Sequence, residues 1–426
     1  MPGSGMFRDD AMNLELYIHI PFCLRKCGYC DFLSAPADEE TREAYVQALC
    51  AEIAAAGADL PEKIPADAEV SSVYIGGGTP SILTGEQLFR IMTAVKKRFR
   101  LSEYAEVTCE VNPGAVDIGK LSRLRFAGVN RISIGLQSAD DGFLRLLGRI
   151  HTAADFEESF RLVREAGFRN VSVDLIHSLP GQTAADWERS LRFVAEKEPE
   201  HISAYSLIIE EGTPFYERFG DIAGEERVGT VGAEYDRVTG GASGPAAPNG
   251  EEPLRLPDEE EDRVMEHMTG VILAEYGYEQ YEISNYAKPG FACRHNLGYW
   301  SDVPYIGFGL GASSYLGGVR WANPRDLNAY LEAASAGDGA FIPEKTDVQV
   351  LTEAEREEEF FFLGLRRTDG VEAADFAERF GHGWDRYLPS MERLERDGFL
   401  ERTAGGFRLT RAGQDVSNTV FAEILF

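Results

Sequence analysis

Apolar and polar positions change period repeatedly along the chain. Short runs rich in β-branched and aromatic residues fall at Leu16–Ile20, Val70–Ile75, Ala105–Val111, Arg131–Gln137, Asn170–Leu179 and Ile202–Ile209, and predict strands. Between them, apolar residues recurring every three to four positions predict helices at Thr41–Ala56, Gly85–Phe99, Asp117–Ala127, Ala153–Ala166 and Ala184–Glu196. Strand and helix in strict alternation imply parallel pairing with right-handed crossovers. Six such strands, where a closed barrel takes eight, predict an α/β fold with a partial (β/α)6 barrel over residues 1–220. Folds of this kind gather their chemistry at the carboxyl ends of the strands.

The pattern then lapses. Residues 221–263 hold Gly240–Gly250 (GGASGPAAPNG) and the acidic run Asp258–Asp262, a composition that suits a solvated insertion without structure of its own. Residues 264–345 are rich in aromatics and glycine and are expected to cover the open end of the barrel. From 346 to 426 helical pattern returns at Ala354–Leu365, Val371–Phe380 and Asp385–Asp397. A hairpin follows, Phe399–Thr403 and Phe407–Thr410 around Gly405-Gly406. Helices ending in a small β-wing predict a helical, winged-helix-like C-terminal domain.

Charge and composition narrow the function classes. The 426 residues carry 42 Lys and Arg against 71 Asp and Glu, a formal charge of −29. Phosphate contacts need clustered cations, so nucleic acid is not an expected partner, and the wing is assigned a packing or protein-partner role. No apolar run reaches the roughly 18 residues of a spanning helix. Met1–Asp10 lacks an apolar signal core. The expectation is a cytoplasmic protein with no stable membrane insertion.

Three of the six cysteines fall within eight residues: Cys23, Cys27 and Cys30 form Cys-x3-Cys-x2-Cys just after the strand ending at Ile20. That spacing is poor for a disulfide framework and suits thiolates converging on one metal centre in a reducing compartment. Thiolates bind iron–sulfur clusters or zinc, but structural zinc usually takes four ligands in two pairs, and no second pair is visible. A [4Fe–4S] cube held by three Cys keeps one iron open. Cys50, in a helical pattern, and Cys109, in a strand, read as core residues.

The stretch Tyr-Ile-His-Ile-Pro-Phe-Cys-x3-Cys-x-Tyr-Cys-Asp-Phe, from Tyr17 to Phe32, resembles the radical S-adenosylmethionine (SAM) enzymes. Within them the chain is similar to the branch holding oxygen-independent coproporphyrinogen III oxidase and the HemW-type haem chaperones, over nearly its whole length apart from the insertion. The resemblance implies a radical-SAM barrel with a [4Fe–4S] cluster on Cys23, Cys27 and Cys30. It also implies SAM bound through its amino and carboxylate groups to the open iron, and an electron donor whose electron releases a 5′-deoxyadenosyl radical.

Gly76-Gly77-Gly78-Thr79-Pro80 follows the strand Val73–Ile75. Glycines let backbone approach a ligand, although a plain strand-end turn looks alike. Glu110 ends another strand, where a carboxylate can accept two ribose hydroxyls or simply pair with a cation. Gln137, Arg149 and Asp174 sit at later strand ends or in the loops after them. The resemblance makes these the SAM contacts: Gly77, Gly78 and Thr79 in the glycine segment, then Glu110, Gln137, Arg149 and Asp174, with Tyr17 before the cluster and Tyr29 inside its loop.

Three departures separate the chain from the oxidase. Cys30 is followed by Asp31-Phe32, where the oxidase carries a further cysteine two residues after the third ligand. Only 16 residues precede Tyr17, short for the segment that helps enclose a porphyrinogen. Cys293-Arg294-His295-Asn296-Leu297-Gly298-Tyr299-Trp300 carries His-Asn-x-x-Tyr, as in the chaperone branch. The implied function is a chaperone that binds haem and passes it to an acceptor haemoprotein. The alternative is the oxidase, which decarboxylates propionates of coproporphyrinogen III. A regulator sensing iron or redox state through cluster and wing is disfavoured by the charge.

His295 is the candidate haem contact. A neutral imidazole and a nearby thiolate such as Cys293 are both common ligands of haem iron, and Tyr286, Phe291, Tyr299, Trp300 and Tyr305 offer rings to a porphyrin face. A hydrogen-bonded loop histidine that positions the cap would look the same. His19 is expected to pack near the cluster rather than bind it.

Overall fold

The computed structural model describes residues 13–57, 64, 68–220, 254–336 and 341–424. The Gly- and Pro-rich part of the insertion, Gly240–Gly250, lies outside the described residues. Strand and helix alternate as the pattern requires: β1 (Asn13–Ile20), α1 (Glu39–Ala55), β2 (Glu69–Gly77), α2 (Gly85–Arg98), β3 (Leu101–Val111), α3 (Ile118–Ala127) and β4 (Arg131–Gln137). Then come a short α4 (Asp141–Leu146), α5 (Ala153–Glu165), β5 (Val171–His177), α6 (Ala184–Ala195) and β6 (His201–Ser206). The six strands pair in chain order, all parallel.

Alternation along each strand divides the sheet into two faces. Leu16, Ile18, Val73, Ile75, Ile132, Ile134, Val173, Leu175 and Ile202 are wholly buried in the core between sheet and helices. Each contributes roughly 1.5–3 kcal/mol of burial. The opposite positions are polar: Glu15, Tyr17 and His19, Ser72 and Tyr74, Glu106 and Glu110, Arg131 and Ser133, Asp174, His201 and Ser203. These line the lumen of the partial barrel. Thr84, Thr152 and Thr183 start α2, α5 and α6 with capping boxes to Gln87, Asp155 and Asp186, which fixes where each crossover begins.

Beyond β6 the chain extends the sheet rather than only covering it. After α7 (Pro214–Phe219), helix α8 (Glu259–Glu275) packs on α6, and the Trp187 indole donates to Thr269 Oγ1 at 2.8 Å. The acidic run Asp258–Asp262 is therefore structured, against expectation. Asp258 caps α8 in a box with Glu261, and the remaining acids fill the first turn, where the positive end of the helix favours them. Strand β8 (Asn285–Ala287) adds antiparallel to β6, and β7 (Glu279–Glu282) adds antiparallel to β8 at the edge. At the other edge β9 (Tyr305–Phe308) runs parallel to β1, followed by β10 (Ser313–Leu316), β11 (Val319–Ala322) and β12 (Thr346–Val350). The outcome is an open 12-stranded sheet, order β12-β11-β10-β9-β1-β2-β3-β4-β5-β6-β8-β7. The covering role falls to one short helix, α9 (Arg294–Trp300), which fills the amino-terminal end of the lumen against Ser72 and Glu106.

The C-terminal part is helical with a wing, as the pattern predicts. Helix α10 (Leu327–Ala336) still packs on α1 in the barrel; the C-terminal part then runs from α11 (Glu353–Gly364) through β13 (Val371–Glu372), α12 (Ala373–Phe380), α13 (Leu388–Arg396), β14 (Leu400–Arg402) and β15 (Gly406–Leu409). Its own core gathers around Phe361, Phe376, Trp384, Tyr387 and Phe407. Arg367 donates to Ser301 Oγ (2.9 Å) and Arg379 to Asp302 Oδ2 (2.8 Å), tying this domain to the end of α9. No described helix is long and apolar enough to cross a membrane.

Candidate functional site

A cavity of about 490 Å³ opens at the carboxyl ends of the barrel strands, a size within the roughly 300–1,000 Å³ of small-molecule sites. Its wall takes in Cys23, Cys27, Tyr29, Cys30, Gly77, Gly78, Thr79, Glu110, Gln137, Arg149 and Asp174. Residues up to 151 positions apart in the chain thus meet at one mouth, as the strand-end rule requires.

The cysteine loop is pinned at its start and its middle. Cys23 donates its backbone N–H to Ala35 O (3.2 Å), Gly28 N–H reaches Leu147 O (3.0 Å), and Phe215 N–H reaches Gly28 O (2.9 Å). None of the three thiols is in a disulfide. Arg149 stands beside Cys27, Nη1 to Sγ 3.8 Å, and its Nη2 donates to Gly135 O (2.7 Å) and Asn112 Oδ1 (2.8 Å). Thr79 Oγ1 lies 3.4 Å from Cys23 Sγ and accepts from Asn112 Nδ2 at 2.9 Å.

The glycine run has a steric cause. Gly77 adopts φ +111°, and a Cβ there would press on the His19 imidazole at 2.7 Å. A Cβ on Gly78 would meet Phe22 O at 2.7 Å and Cys23 Sγ at 3.0 Å. Backbone therefore reaches the cavity where a side chain has no room. Three convergent thiols, a glycine cradle and a carboxylate on the facing wall suit an iron–sulfur cluster with SAM beside it.

Glu110 is held from two sides: Oε1 accepts from the Tyr74 hydroxyl (2.8 Å) and Oε2 from Gly77 N–H (3.2 Å). Burial pushes its carboxyl up to about 7, with the Tyr74 bond opposing the shift. Asp174 accepts from Ser133 Oγ at 3.2 Å, and burial raises its pKa as well. Gln137 ends β4 with φ +74°, in the left-handed region and at a register shift. Such backbone costs about 1–3 kcal/mol and turns the chain end toward the cavity. Tyr17 is set one layer deeper, its hydroxyl 3.0 Å from His19 Nδ1 and its ring stacked on Tyr74 at 6.4 Å. His19 bonds Leu33 O through Nε2 (2.8 Å) and packs beside the loop, as expected. Cys109 is buried and Cys50 half-buried.

His295 and Cys293 lie beneath this cavity, not on its wall. His295 Nδ1 is 2.8 Å from Ser72 Oγ, and burial lowers its pKa to about 3, so the imidazole is neutral. Cys293 is wholly buried, its Sγ 3.3 Å from Glu106 Oε1, and burial drives the thiol pKa far up. The neighbouring rings of Tyr299, Trp300 and Tyr305 pack on one another at 5.1 and 5.6 Å. Asn296, from the same helix, does reach the wall.

Several wall residues escape a sequence reading: Tyr74, Asn112, Arg131 and Ser203. Tyr74 carries a readable signal, the one polar-tipped position between buried Val73 and Ile75. Arg131 carries none. It is 1% exposed, and its Nε and Nη1 have no hydrogen-bond partner among the described residues, while its charge offsets Glu110 and Asp174.

Residues 17–194 match the radical SAM superfamily and residues 351–416 the HemN C-terminal domain. The heme chaperone HemW of Bacillus subtilis is 35% identical over 411 residues, which cover 96% of this chain and 98% of that protein. The heme chaperone HemW of Escherichia coli is 32% identical over 410 residues, covering 96% and 97%. Among solved structures, the coproporphyrinogen III oxidase HemN of Escherichia coli superposes with a TM-score of 0.76 at 21% identity, over 97% of this chain and 90% of that one. At that identity the likeness shows a common fold and no more. Identity over full length decides the branch: the chain belongs to the HemW heme chaperone family within the radical SAM superfamily.

Proposed function

We propose that this chain is a haem chaperone, binding haem and passing it to an acceptor haemoprotein, with a [4Fe–4S] cluster on Cys23, Cys27 and Cys30 and SAM beside it. The observation that carries the reading is identity to heme chaperones along nearly the whole chain. The cavity that a cluster and SAM would need is meanwhile kept intact. Together, cluster and SAM supply one-electron chemistry when bound.

The residues divide that work. Arg149 stands beside Cys27 and is itself held by Asn112 and Gly135. The Gly77–Gly78 backbone receives the amino-acid end of SAM where no Cβ intervenes. Glu110, fixed by Tyr74 and Gly77, presents its carboxylate to the ribose hydroxyls. Gln137, Asp174 and Tyr29 complete the surround, with Tyr17 one layer behind it against Tyr74.

The test is product analysis after anaerobic incubation of the reconstituted chain with coproporphyrinogen III, SAM and dithionite. The expected result is no decarboxylation, with cluster present and SAM bound. Protoporphyrinogen in the mixture would make the chain an oxidase instead.

A further inference from the structure

We propose that haem is held at the rim of the cavity, by Leu24, Arg25, Lys26, Phe32, Ile150 and Ile208, and not at His295. The proposal rests on the haem-chaperone reading and assigns it a place.

Four large apolar side chains stand in solvent around two adjoining openings. Leu24 is 62% exposed, Phe32 61%, Ile150 59% and Ile208 68%. Phe32 and Ile208 border the main cavity, while Leu24 and Ile150 border a smaller hollow of about 280 Å³ behind the cysteine loop. Arg25 and Cys27 border both, so the two openings form one continuous rim. Apolar side chains exposed together in this way mark a surface that is covered in function.

The rim also carries cations in a strongly acidic chain. Arg25 and Lys26 are exposed between two cluster cysteines, and neither forms an ion pair with a described residue. Asp31 and Glu210 border the same opening, so charge alone does not recommend an anion here. The combination does. Haem is a flat apolar ring with two carboxylates on one edge. Leu24, Phe32, Ile150 and Ile208 offer apolar contact to the ring, and Arg25 and Lys26 offer charge-assisted hydrogen bonds to the propionates.

No described histidine competes for the iron. His295 and Cys293 are bonded beneath the floor, and His151, which borders the smaller hollow, is buried with Nε2 on Leu136 O at 3.1 Å. Haem held by its face and its propionates keeps its iron open to a ligand from the acceptor. A carrier that must release its cargo needs that openness.

The experiment uses the full chain with its cluster reconstituted and haem followed by absorbance. The variants are F32S/I208S and R25Q/K26Q, with iron content and circular dichroism as controls for folding. The expected result is at least a tenfold rise in haem Kd for each pair, with iron content as in wild type. Haem dimethyl ester, which lacks the propionate charges, should bind wild type and R25Q/K26Q equally. Wild-type haem binding that both variants retain would overturn the rim assignment alone. Slower cluster reduction by an acidic electron carrier, with haem Kd unchanged, would overturn it too and give the rim to the electron donor. No haem binding by the wild type would overturn the underlying reading instead.

Discussion

The imidazole of His295 lies on the ring of Tyr74, centroids 5.1 Å apart and planes 26° from parallel. The hydroxyl of that same Tyr74 donates to Glu110 Oε1 at 2.8 Å. The histidine of the His-Asn-x-x-Tyr motif therefore stands two steps from the cavity carboxylate, as a support beneath it. His295→Ala should weaken SAM binding about two- to twelvefold, the worth of an aromatic stack of about 0.5–1.5 kcal/mol, and leave haem affinity unchanged. Calorimetry with SAM and a haem titration check both halves. Loss of haem with SAM retained would return the haem contact to His295.

The same histidine makes stability depend on pH. Its folded pKa, about 3, lies below its ordinary value of 6.5 because burial and Arg131 disfavour the charged ring. The unfolded chain thus binds a proton that the folded chain does not, so this stabilisation is complete above pH 6.5 and is lost as pH falls toward 3. At pH 5 the loss is about 2 kcal/mol, at about 1.4 kcal/mol per pKa unit. Denaturant melts of wild type and His295→Gln at pH 7 and pH 5 should show the wild type losing more. Equal losses would mean the ring is charged in the fold.

Gly78→Ala places a Cβ 2.7 Å from Phe22 O and 3.0 Å from Cys23 Sγ, so the loop carrying the first thiol must shift. Iron content after anaerobic reconstitution should fall, and SAM should no longer change the spectrum of the reduced cluster. Cys27→Ala should abolish the broad iron–sulfur absorbance outright. Unchanged iron in Cys27→Ala would mean that the cysteine loop does not hold the cluster.

The C-terminal domain has a separate core, and Phe361 is at its centre, wholly buried and 4.6 Å from the ring of Tyr387. Phe361→Ala should cost about 3–5 kcal/mol by the cavity it leaves. The loss should appear in denaturant melts of that domain while cluster absorbance persists. Simultaneous loss of both would show that the two cores unfold as one.

The barrel is legible in the sequence because each of its six strands repeats a two-residue period under a helix that covers one face. The shift is in the ends: the run Ile202–Ile209 leaves the sheet after Ser206. The edge strands are not legible. Asn285–Ala287 is three residues long, too short for a period, and its partner is chosen by tertiary position. The cysteine loop reads plainly because its three cysteines are neighbours in the chain. The place of His295 does not, since its partner Ser72 is 223 positions away. Arg131 is hidden for a related reason: a charged residue at a strand start reads as a solvated end, while the fold turns it inward at 1% exposure. The acidic run at Asp258 resembles a solvated insertion in composition, and its capping geometry emerges only once α8 packs on α6.

Haem carriage by this chain is tested most directly by a haem titration of the cluster-loaded protein followed by gel filtration. Haem absorbance should elute with the protein, saturate at a fixed stoichiometry, and leave it when an apo-haemoprotein is added. Haem that elutes free of a folded, cluster-loaded chain would contradict haem carriage.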